Sequence, residues 1–218
     1  IELLGVAGFA ALRATSRRNE DPEGKLHSYA LYIIWNQKSD WLLEAASTNY
    51  FNSTHFFWTD SGQFRDDNFL GRLGENEKWV KCLDFPAHRI VLLSIEPFDE
   101  CELRLDNQGR AAFITPLKYR LGGGNFGGDA EAIHVWRKLY YKKLLEYHNE
   151  GIFVGKDQPI MGSVCLENSD LCTIVDGRQI EKVKDIWFAM QVVLHDCQKS
   201  LVEHNLTLLK SDTSMIFC

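Results

Sequence analysis

Two kinds of apolar spacing alternate along the chain, one typical of helices and one typical of strands. Apolar residues recur at helical spacing across residues 29–49, which predicts a helix at residues 41–48 with Ser39 or Asp40 as its N-cap. Three further segments are predicted as helices, namely residues 130–150 with Gly151 as their stop, residues 160–166, and about residues 181–199.

Short apolar runs lie between these helices and predict strands. Residues 54–59 are β-branched and aromatic, and they continue directly into the polar turn Asp60-Ser61-Gly62. The other predicted strands are residues 89–95 and 171–175, with a hairpin of residues 101–105 and 111–115 around Asn107-Gln108-Gly109. Because strands alternate with helices, we predict a single-domain α/β fold with a mixed, mostly parallel sheet flanked by helices.

The predicted domain occupies residues 29–200, between an irregular segment at residues 1–28 and a tail at residues 201–218. The chain has 30 acidic and 24 basic residues, a balance that suggests neither binding to nucleic acid nor a polybasic patch for binding to a membrane. No apolar run reaches the roughly 18 to 20 residues of a membrane-spanning helix. A small polar substrate fits this composition, and the start at Ile1 leaves room for a lost leader or anchor.

The cysteines and two glycosylation sequons bear on the compartment. Six cysteines without metal-ligand spacing are most simply buried thiols, although their even number permits one or two disulfides. The sequons begin at Asn52 and Asn205. We therefore expect a secretory or Golgi lumen if the protein is eukaryotic, and the cytoplasm otherwise.

Three motifs carry candidate chemistry. Asp60 follows a hydrophobic strand, and ligands of open α/β sheets bind beyond the carboxyl ends of strands. Residues 122–128 read GGGNFGG, where five glycines allow a ligand or another backbone to approach closely. Asp157 and Gln158 stand at a predicted helix start, where Asp157 can be an N-cap and, as an ionised carboxylate, also accept a hydrogen bond from a sugar hydroxyl.

The order of these motifs resembles the HtrL/YibB family of glycosyltransferase-like proteins. The resemblance runs from about Trp35 to Val193 and rests on an aromatic strand ending in an acid, an FGG segment before a long helix, and a KDQ element. The GGGNFGG block is also similar to the GGFFGG block of retaining transferases of the blood-group type. The resemblance implies an A-type glycosyltransferase fold that uses a nucleotide-sugar donor and a glycan or other hydroxyl acceptor.

The resemblance also implies residue roles. Asp60 matches the first acid of a DXD element, which approaches the ribose of a UDP- or GDP-sugar and a divalent metal such as manganese or magnesium. Asp157 and Gln158 would contact sugar hydroxyls near the reacting carbon. The floor beneath donor and acceptor would be shaped by Gly123, Gly124, Gly127 and Gly128.

Two departures from the family pattern limit these roles. Gly62 stands where DXD has its second acid, so metal dependence is doubtful unless Asp66 or Asp67 replaces it. Residues 1–11 are a poor match for the nucleotide-binding strand that opens this fold. Without a metal, the diphosphate charge falls to Arg65 or Lys156, the basic residues nearest the motifs.

Two alternatives remain open. A catalytically inactive relative of the same fold would act as a glycan- or protein-binding module, which the incomplete DXD element favours. An unrelated α/β enzyme such as a hydrolase is the other alternative, although no GxSxG motif accompanies the seven scattered histidines. Most of these histidines are predicted to be surface or core residues without a catalytic role.

Overall fold

The computed structural model describes residues 18–63, 86–180 and 185–196 of the chain. Four strands form one sheet: β1 (His55–Thr59), β2 (Ile90–Ser94), β3 (Leu121–Asp129) and β4 (Cys172–Asp176). Four α-helices accompany them: α1 (Tyr29–Thr48), α2 (Ala130–Asn149), α3 (Asp157–Glu167) and α4 (Ala189–Asp196). Most of the predicted elements are present, and none of the described helices is long and apolar enough to cross a membrane.

The first helix begins much earlier than the prediction at residue 41. Ser28 is its N-cap and accepts a hydrogen bond from the backbone N–H of Leu31. The proposed caps are interior residues, because Ser39 accepts a hydrogen bond from Trp136 Nε1 at 3.1 Å and Asp40 pairs with Arg137 at 2.7 Å. Polar residues inside α1 are thus partnered by α2, and their capping chemistry is not needed there.

The sheet has the order β1-β3-β2-β4, and only the β2–β4 pairing is parallel. The prediction of a mostly parallel sheet is therefore wrong, because β3 pairs antiparallel with both β1 and β2. Residues 95–120 between β2 and β3 contain no helix that could return the chain to the start of β2, so β3 runs beside β2 in the opposite direction. Two helices, α2 and α3, separate β3 from β4, so β4 again reverses direction.

The GGGNFGG segment is part of the central strand β3 and leads directly into α2. Its glycines permit the close backbone approach that the sequence predicts, and two of them are approached by the backbone of neighbouring parts of the sheet. A Cβ on Gly127 would collide with the carbonyl oxygen of Phe56, and one on Gly128 with that of Arg89. This half of the segment is therefore glycine-rich for sheet packing.

Both faces of the sheet are covered, and β2 shows this by its alternation. Ile90 and Leu92 belong to a core that includes Trp136 of α2, whereas Val91 and Leu93 belong to a second core that includes Met190 of α4. Every residue of β2 is buried. The fold is a three-layer α/β domain, with α1, α2 and α3 on one face and α4 on the other.

Several predicted features differ in detail. Only one isolated bridge, Leu105 with Ala111, forms in the predicted hairpin. Where the sequence predicts one final helix at about residues 181–199, the described part of it is a 3₁₀ turn, Ile186–Phe188, followed by α4. The predicted irregular segment contains a 3₁₀ turn at Arg18–Glu20, while residues 1–17 and the tail at 201–218 lie outside the described residues.

The simplest interpretation of the cysteines is wrong for those that are described. Cys165 and Cys172 form a disulfide that joins the end of α3 to the start of β4. Cys101 is disulfide-bonded as well. Cys82, Cys197 and Cys218 lie outside the described part of the chain.

Candidate functional site

A cavity of about 760 Å³ lies beyond the carboxyl end of β1 and the amino end of β3. Its volume is within the range of roughly 300–1,000 Å³ that small-molecule sites occupy. Its aromatic lining residues are Trp35, Tyr119, Trp187 and Phe188. Its charged lining residues are Glu23, Lys38, Asp60, Lys156, Asp157 and Asp185.

Lys38 of α1 contacts three other residues that line the cavity. Its Nζ lies 3.3 Å from the Asp60 carboxylate and 3.1 Å from Oδ2 of Asp157, and it donates to the Gly123 carbonyl oxygen at 2.9 Å. The side chain is 3 % exposed. One buried ammonium therefore brings together residues from all three motifs that the sequence singled out.

Asp60 occupies the strand-end position that the sequence predicts. Its backbone N–H donates to the carbonyl oxygen of Gly124, and its Oδ1 accepts a hydrogen bond from Trp58 Nε1 at 2.6 Å. The side chain remains 38 % exposed. Asp60 is thus fixed at its inner side and open to the cavity at its outer side.

Asp157 is the first residue of α3 and is not its N-cap, which is Lys156. The cap interpretation of Asp157 is therefore wrong. Lys38 Nζ approaches Asp157 Oδ2, but no hydrogen bond of acceptable geometry reaches this buried oxygen from the described residues. A buried carboxylate oxygen without a hydrogen bond is costly, so Asp157 Oδ2 depends on its ion pair with Lys38.

Gly123 allows this arrangement because it has no side chain. A Cβ at that position would lie 2.6 Å from Asp157 Oδ2, closer than real Cβ contacts. The glycine segment therefore has two functions along its length. Gly123 and Gly124 line the cavity, whereas Gly127 and Gly128 do not.

Lys156 forms a second charged cluster on the same wall. Its Nζ lies 3.2 Å from Asp21 Oδ1 and 2.9 Å from Glu23 Oε2, and it stands over the Tyr119 ring at 5.2 Å. Burial by itself lowers the pKa of Lys156, but the hydrogen bond to Glu23 and the charge of Asp21 outweigh it and raise the pKa. The ammonium form is therefore stable here.

Asp21 is a fixed carboxylate behind the cavity. It accepts hydrogen bonds from Tyr32 Oη at 2.7 Å and from the Glu23 backbone N–H at 3.0 Å. The Nδ1 atom of His27 lies 2.6 Å from Asp21 Oδ2. Burial alone raises the pKa of Asp21, but the hydrogen bonds from His27 and Tyr32 outweigh it and lower the pKa below its usual value.

The remaining predicted residues fall in different places. Gly62 and Gln158 line the cavity beside Asp60 and Asp157. Arg65 lies outside the described residues, as do Asp66 and Asp67. The predicted ligand contacts of all these residues stay predictions. The described ones, Gly62 and Gln158, line the same cavity as Asp60 and Asp157.

Sequence reasoning missed Lys38, Asp21 and His27. The available signal for Lys38 is the run Asn36–Asp40, five consecutive polar residues in the middle of α1. Four of them are buried, namely Asn36, Gln37, Lys38 and Ser39. Such a run on a core-facing helix indicates partners elsewhere in the fold. For Asp21 and His27 the signal is absent, since they belong to a segment without helical or strand spacing.

The described residues do not fit a divalent metal at Asp60. An ammonium, that of Lys38, already stands between Asp60 and Asp157, and Gly62 supplies no carboxylate. The donor atoms of Asp21, Glu23 and His27 lie within 4.8 Å of one another, a composition that metals accept. Lys156 pairs with both of those carboxylates, and a second cation beside it would be repelled.

Comparison with known proteins gives a family and no activity. The family described as "Bacterial protein of unknown function (HtrL_YibB)" matches residues 4–189. No curated protein and no solved structure matches the chain. The A-type glycosyltransferase fold that the resemblance implies therefore stays a proposal. Because the family match covers most of the chain, the protein belongs to the HtrL/YibB family.

Proposed function

We propose that the protein is a glycosyltransferase that moves a sugar from a nucleotide-sugar donor to a hydroxyl of a glycan or other acceptor. The observation that carries this proposal is the convergence of Asp60, Gly123 and Asp157 on the Lys38 ammonium. These residues are far apart in sequence, and each belongs to a motif of the resemblance. Their meeting on one cavity wall supports a shared role in binding a polar ligand.

The side chains of the wall suit a sugar nucleotide in chemical terms. Carboxylates accept hydrogen bonds from sugar and ribose hydroxyls, and we assign this role to Asp157 for the donor sugar and to Asp60 for the ribose. Gln158 would add an amide that both donates and accepts. The aromatic rings of Tyr119 and Trp187 meet edge to face at 5.6 Å and offer apolar surface for a base or a sugar face.

Lys38 has a positioning role in this proposal. Its ammonium donates to the Asp60 carboxylate and to the Gly123 carbonyl oxygen and lies 3.1 Å from Asp157 Oδ2, so it holds Asp60 and Asp157 close together. The diphosphate then needs another cation. Lys156 is the described candidate and Arg65 the other, and loss of transfer in Lys156→Ala or Arg65→Ala would identify which one serves.

Calorimetric titration with a panel of UDP- and GDP-sugars, with and without manganese, tests the proposal. We expect at least one donor to bind. Asp60→Asn removes a carboxylate acceptor and should weaken that binding about tenfold or more, a loss of about 1.4 kcal/mol or more. Asp170→Asn is the matched control, because Asp170 is exposed and does not line the cavity. Absence of binding by every donor, or unchanged binding by Asp60→Asn, would contradict the proposal.

Asp157→Asn separates catalysis from binding. The substitution keeps the size of the side chain but removes the charge that pairs with Lys38. We expect the transfer rate to fall by more than the donor affinity, because the sugar hydroxyls are oriented less well in the transition state. Equal losses in rate and affinity would indicate a binding role only.

A second candidate function is a glycan-binding module without transferase activity. The described lining has four carboxylates against two ammonium groups, an excess of negative charge that disfavours a bare diphosphate. Carboxylates and aromatic rings also bind free sugars. Titration with neutral oligosaccharides distinguishes the two functions, because this module would bind them and ignore nucleotide sugars.

We also propose that the protein works in an oxidising compartment. The Cys165–Cys172 disulfide and the bonded state of Cys101 support this, since disulfides persist mainly outside reducing compartments. The sequon at Asn52 stands on an exposed turn with a positive φ of 52°. Peptide mass mapping without reductant should recover the Cys165–Cys172 linkage from natively purified protein, and free thiols at both positions would contradict the proposal.

A further inference from the structure

His27 joins a buried carboxylate to the cavity. Its Nδ1 lies 2.6 Å from Asp21 Oδ2, and the Asp21 side chain is 0 % exposed. The His27 side chain keeps 14 % exposure and lines the cavity. Nε2, the other ring nitrogen, lies 3.9 Å from Oε2 of Glu23, which is another cavity residue. The ring therefore has Nδ1 paired with Asp21 behind the wall, while Nε2 stands near Glu23, a residue that lines the cavity.

The ring is held in this orientation from several directions. The ring of Trp35 meets it edge to face at 4.8 Å, and that of Tyr32 does so at 6.1 Å. Tyr32 also donates to Asp21, so the carboxylate that orients His27 is itself fixed. Because a carboxylate can only accept, Nδ1 of His27 must carry the proton, and Nε2 of the neutral ring is then an acceptor.

We propose that His27 is the general base of the transfer reaction and that Asp21 is its positioning residue, an inference that rests on the proposed function. The acceptor oxygen forms a bond to the anomeric carbon of the donor sugar while the bond from that carbon to the diphosphate oxygen breaks. The acceptor proton passes to Nε2 of His27, and the electron pair of the broken bond leaves with the nucleoside diphosphate. The resulting imidazolium is stabilised by Asp21 and later releases its proton to water.

The mechanism fixes the stereochemistry of the product. A hydroxyl activated by a base of the protein attacks from the face opposite the leaving group, so the anomeric configuration is inverted in a single displacement. Formation of the product with retained configuration, measured by proton NMR, would overturn the assignment.

Chemical rescue tests the base directly. We expect His27→Ala to bind the donor as the wild type does, to transfer it about 10²–10⁴ times more slowly, and to regain activity when imidazole is added. His134→Ala is the matched control, because His134 is exposed on α2 and does not line the cavity. A variant that binds donor and transfers at the wild-type rate would overturn the role of His27 while leaving the proposed function intact.

The tautomer of His27 gives a readout that needs no substrate. Nitrogen NMR of histidine-labelled protein should show neutral His27 protonated at Nδ1, and Asp21→Asn should alter this signal without altering that of His134. Observation of the Nε2-protonated tautomer would overturn the inference even in an active enzyme. If no donor binds to the wild type, the proposed function fails, and the tautomer still decides whether His27 presents an acceptor nitrogen to the cavity.

Discussion

Lys38 and Lys156 are two buried ammonium groups on one cavity wall, each paired with two carboxylates, but they hold different parts of the molecule. Lys38 joins Asp60 and Asp157, which follow β1 and open α3. Lys156 joins α3 to Asp21 and Glu23, which precede the first helix. The ion pairs of Lys38 therefore hold together the motifs of the resemblance. Those of Lys156 attach a segment without regular structure to the site.

The carboxylates also differ in how well they are satisfied. Asp21 keeps hydrogen bonds from His27, Tyr32 and the Glu23 backbone besides its ion pair. Asp157 Oδ2 has its ion pair and no hydrogen bond from the described residues. A carboxylate that depends on one cation is more sensitive to its loss. Two equally buried lysines can therefore contribute differently to stability.

The largest effect is expected for Lys38→Met. The substitution leaves Asp157 buried without its cation, and breaking a buried ion pair in this way costs about 3–5 kcal/mol. Urea denaturation of the variant should show this loss in the free energy of unfolding. Lys138→Met is the control, because Lys138 is exposed on α2 and its loss should change stability by no more than about 0.5 kcal/mol. Similar midpoints for both variants would contradict the comparison.

A smaller loss, about 1–3 kcal/mol, is expected for Lys156→Met. Asp21 keeps its other hydrogen bonds in this variant, and Glu23 is 44 % exposed and can turn to water. The same denaturation series measures it. If Lys156→Met proves as destabilising as Lys38→Met, the hydrogen bonds to Asp21 do not compensate for the cation.

Gly123→Ala perturbs the Lys38 cluster without removing a charge. The added Cβ must displace the Asp157 carboxylate and weaken its pairing with Lys38, for which we expect about 1–2 kcal/mol. The contacts of Lys156 are not touched by this change. Combined with Lys38→Met, the glycine substitution should cost less than it does alone, and strict additivity in a double-mutant cycle would show that the two sites do not interact.

The pH dependence of stability should be a smaller effect that belongs to the Lys156 side. The lowered pKa of Asp21 means that its contribution is present above the ordinary value of 3.8 and is lost as the pH falls through the lowered pKa. The raised pKa of Lys156 means that its contribution is present below 10.5 and is lost as the pH rises through the raised pKa. Both contributions are complete near neutral pH.

Denaturation midpoints of wild type and Asp21→Asn, measured from neutral to acid pH, check this dependence. The variant lacks the titrating group, so its stability should decrease less over the acid range than that of the wild type. Parallel curves for the two proteins would show that Asp21 has no lowered pKa in the folded state.

Local sequence patterns predict much of the fold and single out several of the residues that line the cavity. The aromatic run before Asp60 is a strand, and the long amphipathic segment after Asp129 is a helix that starts at Ala130, as its spacing indicates. Asp60, Gly123 and Asp157 were selected from the sequence and do share a cavity. The strand and the helix are predictable because periodicity and turn chemistry act between residues close together in sequence, whereas the roles of Asp60, Gly123 and Asp157 stay predictions.

The failures concern contacts between distant residues. The sheet is not mostly parallel because the number of helices between strands sets the strand direction, and spacing alone does not show how the strands are ordered. The polar run around Lys38 indicates buried partners, but only the fold shows that Gly123 and Asp157 are among them. His27 was one of seven scattered histidines, and only the approach of Asp21 distinguishes it. Such pairings are properties of the tertiary structure.

The indole of Trp58 donates to Asp60 and stacks on Trp41 with their ring centroids 5.5 Å apart. Trp35 and Trp187 line the cavity itself. The molecule thus carries its own optical reporter, since indole emission responds to local charge and water. Occupation of the cavity should change the intensity or wavelength of tryptophan fluorescence, which makes large ligand libraries accessible to a label-free screen.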